Sequence, residues 1–148
     1  MKNLIAVLLL SFCFINIGHS QAVTKDAVLG EWLSEKKDGK VLIYKQGEKY
    51  FGKISWGRDG NERKDVNNPD EKLKTQTIVG SVILKGFEFT GKSWEEGTIY
   101  DPNNGKTYSC TIKIKKSNEL EIRGFIGISL LGRTTIWTRS SQSPKDGN

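Results

Sequence analysis

From Gly30 to Arg139 apolar and polar residues alternate with a period of two, and turn-forming residues interrupt the alternation at short intervals. A period of two sends successive side chains to opposite faces of an extended chain, so such segments fold as strands with one buried face. Helical periodicity is nearly absent. The pattern predicts eight strands, over about 30–35, 40–45, 49–56, 78–90, 93–100, 106–115, 119–125 and 132–139. Asp38-Gly39 and Asn104-Gly105 are the strongest hairpin signals, because both residues of a two-residue type I′ loop need positive φ. Gly47-Glu48 and Ser117-Asn118 are weaker ones. Eight strands in hairpin order expose two edges unless the first pairs with the last. The expected fold is therefore all-β, a single antiparallel up-and-down barrel.

Two segments break the rhythm. Residues 57–76 form a polar connection far longer than the ~4–6 residues usual between elements, a length typical of lids and binding loops. Within it Asn68-Pro69-Asp70-Glu71 predicts one short helix across a barrel mouth, with Asn68 as N-cap, Pro69 at the first helical position and Glu71 closing a capping box. The second break, Gly124 to Gly132, is an apolar run studded with glycine where a polar turn is expected. It is either a buried bend or an apolar lip exposed at an opening.

The amino terminus has the composition of a secretory signal peptide over residues 1–20: Lys2, an apolar run from Leu4 to Ile17, and the small-residue site Gly18-His19-Ser20. Cleavage is expected before Gln21, leaving one domain over residues 21–148. The apolar run is shorter than the ~20 residues a bilayer span requires, so no transmembrane segment is expected after cleavage. Bulky Phe12 before Cys13 argues against lipid attachment there. A secreted or periplasmic product follows. Cys110 is then the lone cysteine, and its place in the alternating stretch Cys110-Thr111-Ile112-Lys113-Ile114 predicts burial as a small hydrophobe.

The single histidine of the chain is His19. Its loss with the leader removes the commonest general base and the commonest metal ligand together. A lone cysteine cannot supply a zinc, haem or iron–sulfur site, and no cofactor or metal is expected. Asp59, Asn61, Asp65, Asn67 and Asp70 cluster in the long loop but lack the spacing of an EF-hand. Glu88, Glu95, Glu96 and Asp101 are the candidates for a glycosidase-like carboxylate pair. Lys and Arg are interspersed with acids, as in Glu35-Lys36-Lys37-Asp38, so the excess of 23 basic over 17 acidic residues forms no stripe for nucleic acid.

Tryptophan and arginine carry what remains. Trp32 at the start of the first strand and Arg139 at the end of the last would be neighbours in a closed barrel, and a guanidinium stacked on the indole would seal one end. Arg133, Thr135 and Trp137 share one face of the last strand and Thr134, Ile136 and Thr138 the other. The pattern leaves open which points inward. If the first set does, Arg133 and Trp137 would hold an acidic head group and its apolar tail.

Gly30-x-Trp32 with an arginine in the last strand resembles the closed-end signature of lipocalins and fatty-acid-binding proteins. Over a longer stretch the chain resembles a family of bacterial secreted proteins known as domain of unknown function 2147. The residues that carry this likeness are Gly30-Glu31-Trp32, Tyr50 to Trp56, Asp65 to Asp70, Gly97 to Pro102, Gly105 to Tyr108, Arg123 to Gly127, Leu131 to Arg133 and Trp137 to Arg139. The resemblance implies a lipocalin-like barrel exported from a bacterial cell, with the habit of that class of binding small apolar molecules. It implies no activity.

The leading expectation is a non-enzymatic binder of a small hydrophobic or amphipathic ligand, with Tyr50, Trp56, Tyr100, Arg123, Arg133 and Trp137 as candidate binding residues. The alternatives are an interaction module docking on an envelope protein through the apolar segment from Phe125 to Leu131, and a carboxylate-dependent enzyme acting on glycans.

Overall fold

The computed structural model describes residues 22–140. Residues 1–20, read as a signal peptide, lie outside them. Eight strands run in chain order: β1 (Gly30–Leu33), β2 (Gly39–Gln46), β3 (Lys49–Gly57), β4 (Val82–Phe89), β5 (Trp94–Asp101), β6 (Lys106–Lys116), β7 (Glu119–Phe125) and β8 (Arg133–Arg139). Each pairs antiparallel with the next, and β8 returns to β1, closing the up-and-down barrel that the period-two pattern implied. No helix among the described residues is long and apolar enough to cross a membrane.

The alternation sets which residues fill the interior. Val41 and Ile43 of β2, Tyr50 and Ile54 of β3, Leu120 and Ile122 of β7, and Trp137 of β8 are buried, and charged neighbours such as Lys40, Lys53 and Glu121 alternate with them. The strands end in two distinct rims. At one, the β2–β3, β4–β5 and β6–β7 turns meet the start of β1, and Trp32, Tyr50, Phe87, Trp94 and Leu120 fill the barrel. Trp94 lies 4.9 Å from Phe89 and meets Tyr50 edge-on at 6.2 Å between ring centroids, so aromatic rings plug this end. Gly97 makes room for the plug, because a Cβ there would overlap the Phe87 ring.

The seal foreseen from Trp32 and Arg139 is present. The two residues are cross-strand partners, and the Arg139 guanidinium sits 4.0 Å above the indole. It also donates to the carbonyls of Leu29 (2.9 Å), Ala27 (2.8 Å) and Ser117 (3.3 Å), tying the segment before β1 across the end of the barrel. The Trp32 indole N–H donates to the Val28 carbonyl at 2.8 Å. Cys110 is buried as expected, and loss of water around it pushes its thiol up to about 12.

Three local expectations are corrected. Residues 68–76 form no helix. Asn68 accepts from the Asp70 N–H (2.9 Å), but Glu71 bonds Lys74 and does not close a capping box, and the bonds that follow, Leu73 N–H to Asp70 and Gln76 N–H to Leu73, close successive turns. The segment is fixed at both ends and too short to recover the cost of a helical nucleus. Among the described residues the one helical turn is a 3-10 turn at Ser129–Leu131. Strand β4 starts at Val82, not at residue 78, because Ile78 to Ser81 close a turn around Gly80 (φ 93°). The hairpins also invert the expected ranking. Gly47-Glu48, with φ 62° at Gly47, and Ser117-Asn118 are the two-residue loops, whereas Asp38-Gly39 and Asn104-Gly105 belong to longer turns. In the first of these the Ser34 side chain bonds the Asp38 carboxylate and Lys37 takes the positive φ of 56°.

Candidate functional site

Above the aromatic plug the strands diverge around a cavity of about 650 Å³ that opens at the second rim. Its wall is aliphatic: Val41, Ile54, Ile78, Ile83, Ile99 and Ile122, with Trp137 beside them. The rim carries Trp56 and Tyr100, the β1–β2 turn, the β5–β6 turn and the apolar β7–β8 connection. The question of which face of β8 points inward is answered: Arg133, Thr135 and Trp137 all line the cavity. Trp137 is buried and Arg133 exposed, so this row runs from the inner wall to solvent.

Trp56, Tyr100, Arg133 and Trp137 are thus brought together, and two other candidates are not. Tyr50 shares a strand with Trp56, but six residues at ~3.3 Å each separate them by about 20 Å. Tyr50 therefore belongs to the plug, where its hydroxyl donates to Asp26 Oδ1 at 3.2 Å. Arg123 follows buried Ile122 on β7, on the opposite face of the strand, and so projects outward, where it donates to Thr134 Oγ1 at 2.7 Å. The aliphatic wall escaped notice as a site because each residue reads as core. Its signal was parity with Trp56 and Trp137.

The long connection borders the mouth and is pinned there. Residues 63–65 and 76–78 pair as a short ladder: the Asp65 N–H donates to Gln76, the Ile78 N–H to Arg63, and Lys64 bridges Thr77. From this ladder Asp65 reaches β5. Its Oδ1 accepts from the Tyr100 hydroxyl (2.8 Å) and its Oδ2 from Asn68 Nδ2 (2.7 Å). Burial, with the Asp65 carboxylate beside it, pushes the Tyr100 phenol up to about 12. Asn67 Nδ2 donates to the carbonyls of Pro102 and Asn103, and Arg63 donates to Asn103 Oδ1. Gly105, at φ 70°, fits against the Asn67 carbonyl, which any side chain there would overlap. The loop residues considered as calcium ligands are therefore bonded to protein donors at Asp65, while Asp59 pairs with Arg63 (3.7 Å). Among the described residues no three His, Cys, Asp or Glu side chains are grouped to hold a metal.

The candidate carboxylates do not converge in the cavity. Glu88 and Glu95 are cross-strand partners near the plugged end, bonded to Lys49 (3.1 Å) and Ser93 (2.5 Å) respectively. Glu96 is exposed at a bulge with φ 59°, and Asp101 accepts the Asn103 N–H (2.9 Å) as a turn residue.

The β7–β8 connection is an exposed lip, not a buried bend. Ile126, Ile128, Leu130 and Leu131 are 69, 60, 82 and 79% exposed, and Ile126 and Leu131 also line the cavity. Near it the barrel wall is thin, since β1 pairs with β8 only at Trp32↔Arg139 and Leu33↔Thr138. Beyond those pairs Glu35 Oε1 accepts the Ile136 N–H at 3.2 Å, a side chain standing where a strand would continue.

No curated protein matches the sequence. Among solved structures, the protein HP1028 from Helicobacter pylori, which belongs to the lipocalin family, is similar, with a TM-score of 0.71 and 25% sequence identity over 76% of this chain and 82% of that one. The family model described as an uncharacterized protein conserved in bacteria, DUF2147, matches residues 30–139, the whole barrel from the first strand to the last, and the chain belongs to that family.

Proposed function

We propose that the protein binds, without catalysis, one small hydrophobic or amphipathic molecule in the open half of its barrel, with Trp56, Tyr100, Arg133 and Trp137 as contact residues. The observation that carries this reading is the cavity of about 650 Å³, aliphatic within and polar only towards its mouth. Pockets for small ligands span ~300–1,000 Å³ and have this layout of apolar wall and few polar groups. The lipocalin relationship supports the same class of ligand. The test is native mass spectrometry of the purified protein before and after extraction with organic solvent. A stoichiometric apolar adduct, or its uptake when small lipids are offered, is expected. A protein that neither carries nor takes up any of them contradicts the reading.

The place of action in this reading is the periplasm or the cell exterior, on the strength of the leader over residues 1–20. Cell fractionation with amino-terminal sequencing should find Gln21 first in an exported product. A second reading, docking on an envelope protein, is favoured by the four exposed side chains of the lip. Replacing Ile128 and Leu130 by Ser should then abolish a cross-link to that partner and spare the barrel.

A further inference from the structure

We infer that the ligand is an amphiphile with an anionic head group, held with its tail against the aliphatic wall and its head at the rim by Arg133 and Lys36. The inference rests on the cavity being a ligand site and adds the chemistry of the head. The charges that line the cavity nearly balance, so the net field does not choose between cation and anion. What chooses is which of them still lack a partner.

Each acid on the cavity wall is engaged within the chain. Glu35 accepts the Ile136 N–H (3.2 Å), Asp38 the Ser34 hydroxyl (2.6 Å) and Asp101 the Asn103 N–H (2.9 Å), and Asp59 pairs with Arg63. Arg63 is spent in turn on Asp59 and on Asn103. Arg133 and Lys36 line the same cavity and have no ion pair or side-chain hydrogen bond among the described residues. Arg133 also has the right position. It is the outermost member of the inward row Trp137, Thr135, Arg133, whose members stand about 7 Å apart along the strand. A tail along Trp137 therefore brings its head past the Thr135 hydroxyl to a guanidinium whose fork of donors fits a carboxylate or phosphate.

The test is calorimetric titration of the intact barrel with three probes that share one tail: dodecanoate, dodecanol and dodecylammonium. Dodecanoate should bind about fivefold more tightly than dodecanol, the scale of a solvent-accessible charge pair, and dodecylammonium more weakly than either. Arg133→Gln should bring dodecanoate down to the affinity of dodecanol, and Lys36→Gln should do so in part. Added salt should shrink the preference in the unmodified protein, a readout that needs no variant. Equal affinity for all three probes, or preference for dodecylammonium, overturns the assignment of the head group and leaves the cavity reading in place. Binding of none of the three overturns both.

Discussion

The Tyr100 hydroxyl donates to Asp65 Oδ1 at 2.8 Å across 35 residues of sequence, and this bond fastens the long connection to the barrel beside the cavity mouth. It joins two of the stretches that carry the family likeness, Asp65 to Asp70 and Gly97 to Pro102, and gives both a shared structural role. Tyr100→Phe should cost about 1–2 kcal/mol of stability, because it leaves a buried carboxylate short of one donor. Amide exchange at Asp65 and Ile78 should quicken with it. Unchanged exchange in that ladder would mean that the connection is held elsewhere.

The same bond has a pH dependence of fixed sign. The Tyr100 phenol is raised in the folded protein from 10.0 to about 12. Its contribution to stability is therefore complete below pH 10 and is lost as the pH rises through the folded value near 12. Burial and the bond to Asp26 raise the Tyr50 phenol as well, so ultraviolet titration of phenolate should show two tyrosines ionising late in the native protein, and Tyr100→Phe should remove one of them.

At the other end of the barrel, Arg139→Met should destabilise the fold by about 2–3 kcal/mol, since it removes the cation over Trp32 and the donors to Leu29 and Ala27 together. Arg139→Lys should recover only part of the loss, as one ammonium cannot stack on the indole and span those carbonyls at once. Chemical denaturation of the three proteins measures the series.

Gly97→Ala should cost about 1–3 kcal/mol by overpacking, because the added methyl overlaps the Phe87 ring in the plugged half. Burial should also keep the Cys110 thiol unreactive towards a disulfide reagent in the native state. Denaturant should release both effects together, with thiol labelling following the unfolding curve.

Glu35→Ala should loosen the wall between β8 and the β1–β2 turn by freeing the Ile136 N–H. Faster exchange at that amide, and faster release of a bound amphiphile, are the expected outcomes. A release rate equal to that of the unmodified protein would place the route of escape at the mouth alone.

The closed end was legible in the sequence because Trp32 and Arg139 are scarce residue types at the two ends of one alternating pattern, and ring closure makes them neighbours. The cavity was half legible. Tyr50 and Trp56 carry the same parity, and parity does not say at which end of a barrel a residue sits. Arg123 could have been placed outside, since Leu120 and Ile122 fix the inner face of β7. The face of β8 could not, because Arg133-Thr135-Trp137 and Thr134-Ile136-Thr138 each mix polar with apolar residues. Asp65 read as a solvated or calcium-binding acid for a related reason. Its partner Tyr100 lies on another element, and only the fold brings the two together.

The central claim, a plugged half and a ligand-holding half in one barrel, is tested most directly by the four indole N–H resonances of an isotope-labelled protein titrated with dodecanol. Trp56 and Trp137 border the cavity and Trp32 and Trp94 are packed in the plug. Saturable shifts at Trp56 and Trp137, with Trp32 and Trp94 unmoved, are the predicted result. Four unmoved indoles at saturating dodecanol, or shifts at Trp32 and Trp94 alone, would contradict it.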